Sequence, residues 1–542
     1  MKIYHKFLLY QNKLLKPYVR ILLGLIEALT YLASLSLIVG VVYEHGFPLS
    51  IDEVANLQTL YKTVWIIFLI DVTLHISLEY RNTKKQYRRL AWILSGLLYL
   101  TLVPVIFHRP EEEGAILHIW EFLHGKFYHL LLLLVLSFLN LSNGLVRLLG
   151  RRTNPSLILA VSFMAIILIG AGLLMLPRCT VNGITWVDSL FTATSAVCVT
   201  GLVPVDVSTT FTTSGLVVII LLIQIGGLGV MTLTSFFAMF FMGNTSIYNQ
   251  LVVRDMVSSN SLGSLLSTLL YILGFTLVIE GIGMVSIWFS IHGTLGMTLE
   301  GELGFAAFHS ISAFCNAGFS TLSGNLGNPM VMTNHNWLFI TVSLLIIFGG
   351  IGFPILFNYG RLLHYGIRNK IKCLLGMNYK VVYEPRIVST TTRIVLPTTL
   401  ILLVVGTALF WIFENHNVLD GMSFTGKFAT SFMGAVTPRT AGFNNVDMSM
   451  LHVPTIFLTI VLMWIGAAPM STGGGIKVTT FVIALKNIWA NLVGNDRVVI
   501  AHRQLTRENV NRAHSIIILS ILWIILAVFV IVILEPKATL TQ

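Results

Sequence analysis

The sequence predicts an all-α polytopic membrane protein built from repeated helix–pore-loop–helix units, three complete plus the first helix of a fourth, behind a four-helix N-terminal bundle. Three observations carry this. The 542-residue chain is 55% hydrophobic and only 11% charged, with a mean hydropathy of +0.83, outside the range of soluble domains. Eleven apolar stretches approach the roughly 20 residues that a helix needs to cross a hydrocarbon core of about 30 Å. From Ser156 onward, pairs of these stretches enclose a short segment rich in Thr, Gly and small residues, and that segment recurs. The stretches are too long and continuous for barrel strands.

The first four spans fall near Ile21 to Tyr43, Leu60 to Leu78, Leu90 to Phe107 and Tyr128 to Leu149. The basic start leads into about 23 apolar residues without a clear small-residue cleavage site, so it reads as a first span and not a removed signal peptide. The N-terminus and RNTKKQYRR, Arg81 to Arg89, are basic, whereas YEHGFPLSIDE and HRPEEEGAILHIWE are acid-rich. Basic loops stay on the cytoplasmic side, which places the N-terminus there in a multi-pass protein of the cell inner membrane. The formal net charge of +11 therefore reads as a topology signal, and no nucleic-acid partner is expected. Asp71 in the second span, with Arg147, Arg151 and Arg152 ending the fourth, hints at voltage sensing. A sensing helix needs arginines every third residue through the membrane, and this fourth span has none until its end. A docking or regulatory bundle over residues 1–150 is the expectation.

The repeats follow as 151–260, 261–385 and 386–495, with 496–542 as the first helix of a fourth. Their semi-polar segments are ATSAVCVTGLVPVD, FHSISAFCNAGFSTL and FMGAVTPRTAGFNNVD. Gly201, Gly318 and Gly442, spaced by 117 and 124 residues, each have a Phe ten residues earlier: Phe191, Phe308 and Phe432. Leu202, Phe319 and Phe443 follow them. Whole supersecondary units are repeating. The connector from Arg361 to Arg393 carries seven Lys or Arg.

Non-helical backbone at membrane depth needs a protein interior or a watery cavity. A short helix dipping in aims its negative C-terminal end at the centre, which favours a cation. Extended backbone beyond it can turn carbonyls inward to replace the ion's water shell, and glycine permits the backbone angles this requires. Thr200 and Thr440 could add hydroxyls or carbonyls. Each segment thus reads as part of a selectivity filter for a monovalent cation. An external loop with a glycine turn would suit any one segment, but three in register favour the filter.

The segments TATSAVCVTGLVPVD, QIGGLGVMT, HSISAFCNAGFS, GGIGFP, RTAGFN and GAAPMSTGGGIKVTT resemble the Trk/Ktr/HKT superfamily of potassium transporters, specifically the membrane subunit of bacterial Trk and Ktr systems, from about Ser156 to the end. The resemblance implies four repeats around one potassium pathway, with filter residues Cys198, Val199, Thr200 and Gly201; Cys315, Asn316, Ala317 and Gly318; and Thr440, Ala441 and Gly442. It also implies an intramembrane gate loop. A glycine-rich break below a filter would serve as a mobile plug, so gating falls to Gly466, Ser471, Thr472, Gly473, Gly474, Gly475 and Lys477. The glycines suggest a phosphate loop only superficially, since Ile476 separates Gly475 from Lys477 and apolar sequence flanks the stretch. Lys477 is either a charge that disfavours cations when the gate is shut or a side chain reaching the cytoplasmic interface from a packed kink.

The function expected by resemblance is potassium uptake, not an enzymatic reaction, with the potassium ion as transported species, no bound cofactor, the lipid bilayer as solvent, a homodimer, and a cytoplasmic nucleotide-binding regulatory subunit on the basic connectors. Sodium permeation or coupling, and a non-transporting membrane sensor, are the alternatives. Glu280, mid-span, should face an arginine or pore-helix backbone. Arg439 stands where the other segments have Cys198 and Cys315, so it should be paired or turned away, with Asp447 and Asp188 as candidate partners. Histidines such as His75 and His309 lack catalytic partners at useful spacing. The four cysteines, Cys179, Cys198, Cys315 and Cys373, show neither zinc spacing nor a disulfide framework. The sequon at Asn244 is expected to be silent in a cytoplasmic loop. A fourth filter segment at the observed spacing would fall beyond Gln542, as in an incomplete four-repeat chain or a three-repeat protein that borrows a wall.

Overall fold

The computed structural model describes residues 2–86, 89–106, 115–149, 155–229, 265–332, 335–353, 355–356, 360, 390–469, 471–495, 497–500, 503–505 and 507–535. The sequon, Cys373, Arg151, Arg152, the end of QIGGLGVMT and the connector up to residue 389 lie outside the described residues. The chain divides into two compact units: Met1–Val161 with Leu176–Cys179 and Met231–Leu266, and the remainder. Among the described residues, Ile21–Gly46, Ile51–His75, Ile272–Ile291, Thr391–Glu414 and Arg507–Leu534 are long and apolar enough to cross a membrane.

In the first unit, the helix Lys2–Gly46 packs against Ile51–Gln86 and Lys126–Leu149. Leu57, Tyr61, Val64, Phe68 and Val72 recur every three or four residues, so one stripe of the second helix is buried against Ala33, Leu37, Leu132 and Leu133. Ser50 and Glu53 close a capping box at its start: the Ser50 amide and hydroxyl each donate to Glu53 Oε2 at 2.8 Å. Glu44 ties the same end together, accepting from Tyr61 at 2.7 Å and pairing with Lys126. The expected third span is not continuous. It runs as Arg89–Leu100 and Val103–Ile106, because Pro104 has no amide to donate to the Leu100 carbonyl, and at the turn the Thr101 hydroxyl donates to Leu98 O and receives Trp65 Nε1 at 2.7 Å. Part of the acid-rich connection forms the helix Ala115–His124. Asp71 pairs with His75 one turn later at 3.2 Å.

The second unit shows the helix, short helix, helix rhythm. The short helices are Trp186–Val197, Leu299–Phe314 and Phe424–Val436. Each starts on a hydroxyl cap, with Thr185, Thr298 and Ser423 accepting from the amides of Asp188, Gly301 and Gly426. They are preceded by Pro155–Leu174 (from Ser162), Leu265–Ile291 and Thr390–Glu414. They are followed by Thr213–Gly227, Asn336–Ile351, and a third partner split into Val453–Trp464 and Val478–Leu492. Successive repeats interlock: Thr213–Gly227 packs on both the first and second short helices, and Asn336–Ile351 on both the second and third. Phe308, Phe314, Phe319, Phe339 and Phe443 are among the largest fully buried side chains, placing the core directly around the semi-polar segments. Leu277, Val278, Ile282, Val285 and Phe289 are exposed, an apolar outer face suited to lipid. A small antiparallel pair, Val499–Ile500 with Arg503–Gln504, precedes Arg507–Leu534.

The repeat is imperfect in detail. Phe308 is buried, but Phe191 at the matching position is 47% exposed, and Leu202 is exposed where Phe319 and Phe443 are buried. The shared phenylalanine therefore marks register and not a common packing role.

Candidate functional site

The three short helices end at Cys198, Cys315 and Thr437. In the first two, Val199 and Asn316 adopt left-handed φ values of 56° and 59°. The amides of Thr200 and Ala317 then reach back to Ser195 O and Ser312 O, both at 2.8 Å. This is a Schellman stop, whose left-handed residue is usually Gly or Asn. Asn316 fits that preference, whereas a β-branched valine in this region is a genuine outlier. In the third segment Pro438 shifts the stop: the Ala441 amide bonds Thr437 O at 3.0 Å, and Thr440 carries φ 69°. Each segment thus holds a left-handed residue, one ordinary residue and a left-handed glycine, with φ 85° at Gly201, 70° at Gly318 and 79° at Gly442. Strain of this kind collects at functional sites.

The three segments meet. A Cβ built on Gly201 would lie 2.6 Å from Ala317 O, and one on Gly318 would lie 2.6 Å from Ala441 O and 2.7 Å from Gly442 Cα. A Cβ on Gly442 would lie 3.2 Å from Gly318 Cα and 3.6 Å from Thr200 O. The carbonyls of Thr200, Ala317 and Ala441, each just before a glycine, therefore converge on one centre where Gly201 and Gly318 leave no room for a Cβ and Gly442 leaves little. The helix ends aimed at the same place bring partial negative charge. Of the two threonines, Thr200 reaches this centre by its carbonyl. The Thr440 hydroxyl instead accepts from the Gly474 amide at 3.0 Å.

The second segment is braced most heavily. Ser312 Oγ donates to Phe319 O at 2.8 Å and Asn325 Nδ2 to Gly318 O at 3.0 Å. His309, fully buried, sits 2.9 Å by Nε2 from Ser320 Oγ and stacks on Phe305. It thus has a partner eleven residues on, in a bracing role. Asp206 and Ser323, five residues past Gly201 and Gly318, link the outer turns through a 2.6 Å hydrogen bond from Ser323 Oγ. Burial opposes the Asp206 carboxylate, but hydrogen bonds from Ser208 and Ser323 outweigh it and hold the pKa below the ordinary value.

Glu280 is buried and faces polar neutral groups, not an arginine. Gln224 Nε2 donates to its carboxylate at 3.1 Å, Cys315 Sγ lies 3.9 Å away, and Ser310 Oγ donates to its backbone carbonyl at 2.6 Å. The expected backbone partner is replaced by a pore-helix side chain. Arg439 is buried, and its Nη2 donates to Gly466 O at 3.4 Å. The expected carboxylates are engaged elsewhere: Asp188 with Thr185 and Asp447 with Ser449.

Below the filter centre the loop 465–477 interrupts the third repeat. Its ends pair through Ile465 and Ile476, and Ala467 N bonds Gly474 O at 3.1 Å. It docks on the preceding repeat through Ala468 N to Gly350 O at 3.0 Å and Thr472 N to Gly349 O at 3.3 Å. Thr472 Oγ1 also donates to Phe314 O at 3.3 Å. Ser471 Oγ turns to Ala468 O, and Lys477 Nζ donates to Gly473 O at 2.6 Å. Lys477 thus caps its own loop.

Two glycine pairs were quoted from the sequence without a structural reason. A Cβ on Gly226 would overlap Val197 O, one on Gly227 would overlap Cys315 Sγ, and one on Gly349 would overlap Phe314 O. They let the following helices press against the carbonyl ends of the short helices. A glycine pair two dozen or more residues after each filter glycine is the signal that could have found them.

Residues 131–541 match the TrkH family, described as cation transport protein. The chain is 35% identical to the Ktr system potassium uptake protein B of Vibrio alginolyticus over 387 residues, 71% of this chain and 80% of that one. It is 32% identical over 400 residues to the potassium/sodium uptake protein NtpJ of Enterococcus hirae, 72% of this chain and 82% of that one. The crystal structure of the potassium transporter TrkH from Vibrio parahaemolyticus superposes with a TM-score of 0.54 at 16% identity, covering 82% of this chain and 84% of that one. That likeness is one of fold.

Proposed function

Because the chain belongs to the TrkH family of membrane cation transport proteins, and so is no enzyme, we propose that it takes up potassium across the cytoplasmic membrane through a gated pore whose filter includes the segments around Gly201, Gly318 and Gly442. The observation that carries this is the convergence of the Thr200, Ala317 and Ala441 carbonyls beside three left-handed glycines, two of which, Gly201 and Gly318, have no room for a Cβ. Such carbonyls substitute for a dehydrated cation's water shell. The proposed filter set is Cys198 to Gly201, Cys315 to Gly318 and Thr440 to Gly442. Cys198 and Cys315 end their short helices, and their backbone, not their thiols, serves the ion.

The loop containing Gly466, Ser471, Thr472, Gly473, Gly474, Gly475 and Lys477 is the proposed gate. Its seat is made of single hydrogen bonds, each worth about 1 kcal/mol net, so a modest input can move it. That input is proposed to come from a cytoplasmic nucleotide-binding subunit on the basic connectors of a homodimer, with the N-terminus cytoplasmic. Residues 1–150 are proposed as a docking or regulatory bundle, and 151–260, 261–385, 386–495 and 496–542 as the repeat units.

Sodium permeation is a second reading, favoured by the relative whose name includes both ions. Radioactive rubidium uptake by the full chain in cells lacking other potassium uptake, with potassium and sodium as competitors, tests both. Potassium should displace rubidium far better than sodium. Equal competition supports the second reading, and no uptake contradicts the transport proposal.

A further inference from the structure

Thr440 is a β-branched residue at φ 69°, a conformation that costs on the order of 1–3 kcal/mol unless the surroundings hold it. What surrounds it is the proposed gate loop. Its Oγ1 accepts from the Gly474 amide at 3.0 Å, and a Cβ on Gly473 would lie 2.6 Å from the same oxygen. The residue before it, Arg439, donates to Gly466 O at 3.4 Å, on the other limb of the loop. Two consecutive residues leading into Gly442 are thus tied to the two limbs of one loop. The loop also reaches the second short helix through Thr472 and Phe314 O.

The equivalent positions show which part of Thr440 matters. Val199 is left-handed at the matching position of the first segment with φ 56° and no hydroxyl, and Asn316 is so in the second with φ 59°. The hydroxyl is therefore not needed to form the turn. It is needed to meet the loop, which among the described residues belongs to the third repeat. We infer that Thr440 is a positioning residue for ion selectivity, whose hydroxyl lets the seated loop hold the third filter segment, so that selectivity depends on where the loop sits.

The inference deepens the gating proposal and rests on it for the loop's movement, though not for the hydrogen bond. The test uses the full chain in cells lacking other potassium uptake, and compares Thr440→Val, Thr440→Ala and Thr440→Ser by the sodium-to-potassium ratio of concentrations that halve rubidium uptake. Val199 shows that valine is accepted in this conformation, and Thr440→Ala gives a second hydroxyl-free side chain without the β-branch. Losing one hydrogen bond's worth of discrimination predicts a fall of about fivefold in selectivity for Val and Ala, with Ser within about twofold of the parent. Unchanged selectivity in both hydroxyl-free variants overturns the inference, as does an equal loss in Thr440→Ser. Uptake rate separates the two layers. A faster rate in Val and Ala supports the loop as gate. Lost selectivity at an unchanged rate keeps the positioning role and counts against the gate.

Discussion

Gly349 lies against the carbonyl oxygen of Phe314 so closely that a Cβ on it would overlap that atom, whereas the nearest atom to a Cβ on Gly350 is the Asn316 side-chain amide at 3.6 Å. Adjacent glycines in one motif therefore have different tolerances. Overpacking a dense interior costs about 1–3 kcal/mol, and here the clash is with backbone. Gly349→Ala should cost at least that and abolish uptake, while Gly350→Ala should stay within about 1 kcal/mol of the parent. Thermal unfolding of the two purified variants in detergent measures the difference. Equal stability would show that the helix and the short helix do not meet in this way.

Glu280 gives a second contrast. Its carboxylate accepts from Gln224 behind the second filter segment. Glu280→Ala leaves that buried amide without its acceptor and opens a cavity, a loss of about 1–3 kcal/mol. Glu280→Gln keeps the shape and one oxygen, and should lose less than half as much. The order of melting temperatures checks this, and a more stable Ala variant would contradict it.

The Asp206 to Ser323 link predicts a pH dependence with a definite sign. The Asp206 pKa is lowered in the folded chain, so its contribution to stability is fully present above the unfolded value, near 3.9. It is lost as the pH falls through the lower folded value. The stability gap between parent and Asp206→Asn should be constant from about pH 5 to 8 and shrink below about pH 4. Ser323→Ala should narrow the gap. A gap that changes around neutrality would point to a different group.

Much of this architecture is legible in the sequence, for identifiable reasons. Spans are set by length and apolarity, which need no tertiary information, and the spacing of Gly201, Gly318 and Gly442 exposes the repeat before any contact is known. Their mutual approach then follows from the need to shelter non-helical backbone. Side-chain partnerships were less legible. Arg439 suggested a carboxylate because charge pairing is the usual solution, yet it faces Gly466 O. Glu280 suggested an arginine or pore-helix backbone, and its carboxylate faces the side chains of Gln224 and Cys315. Such partners lie 27 to 56 residues away, where no periodicity points. The break at Thr101 had a signal in Pro104, which has no amide to donate to the Leu100 carbonyl, whereas nothing in the sequence pointed to Trp65 as the partner of the turn. The contact of Lys477 with Gly473 O was not legible, because capping by one's own loop depends on the fold of that loop.

The proposed function assigns ion selection to the three glycine segments. The most direct measurement is rubidium uptake by the full chain under sodium and potassium competition, comparing the parent with Gly318→Ser. Any side chain there meets Ala441 O and the Gly442 backbone and is strained at φ 70°. The account predicts that potassium's advantage over sodium falls by about tenfold or more, a loss of about 1.4 kcal/mol of discrimination, while the protein still reaches the membrane. An unchanged advantage in a variant that folds and transports would contradict it.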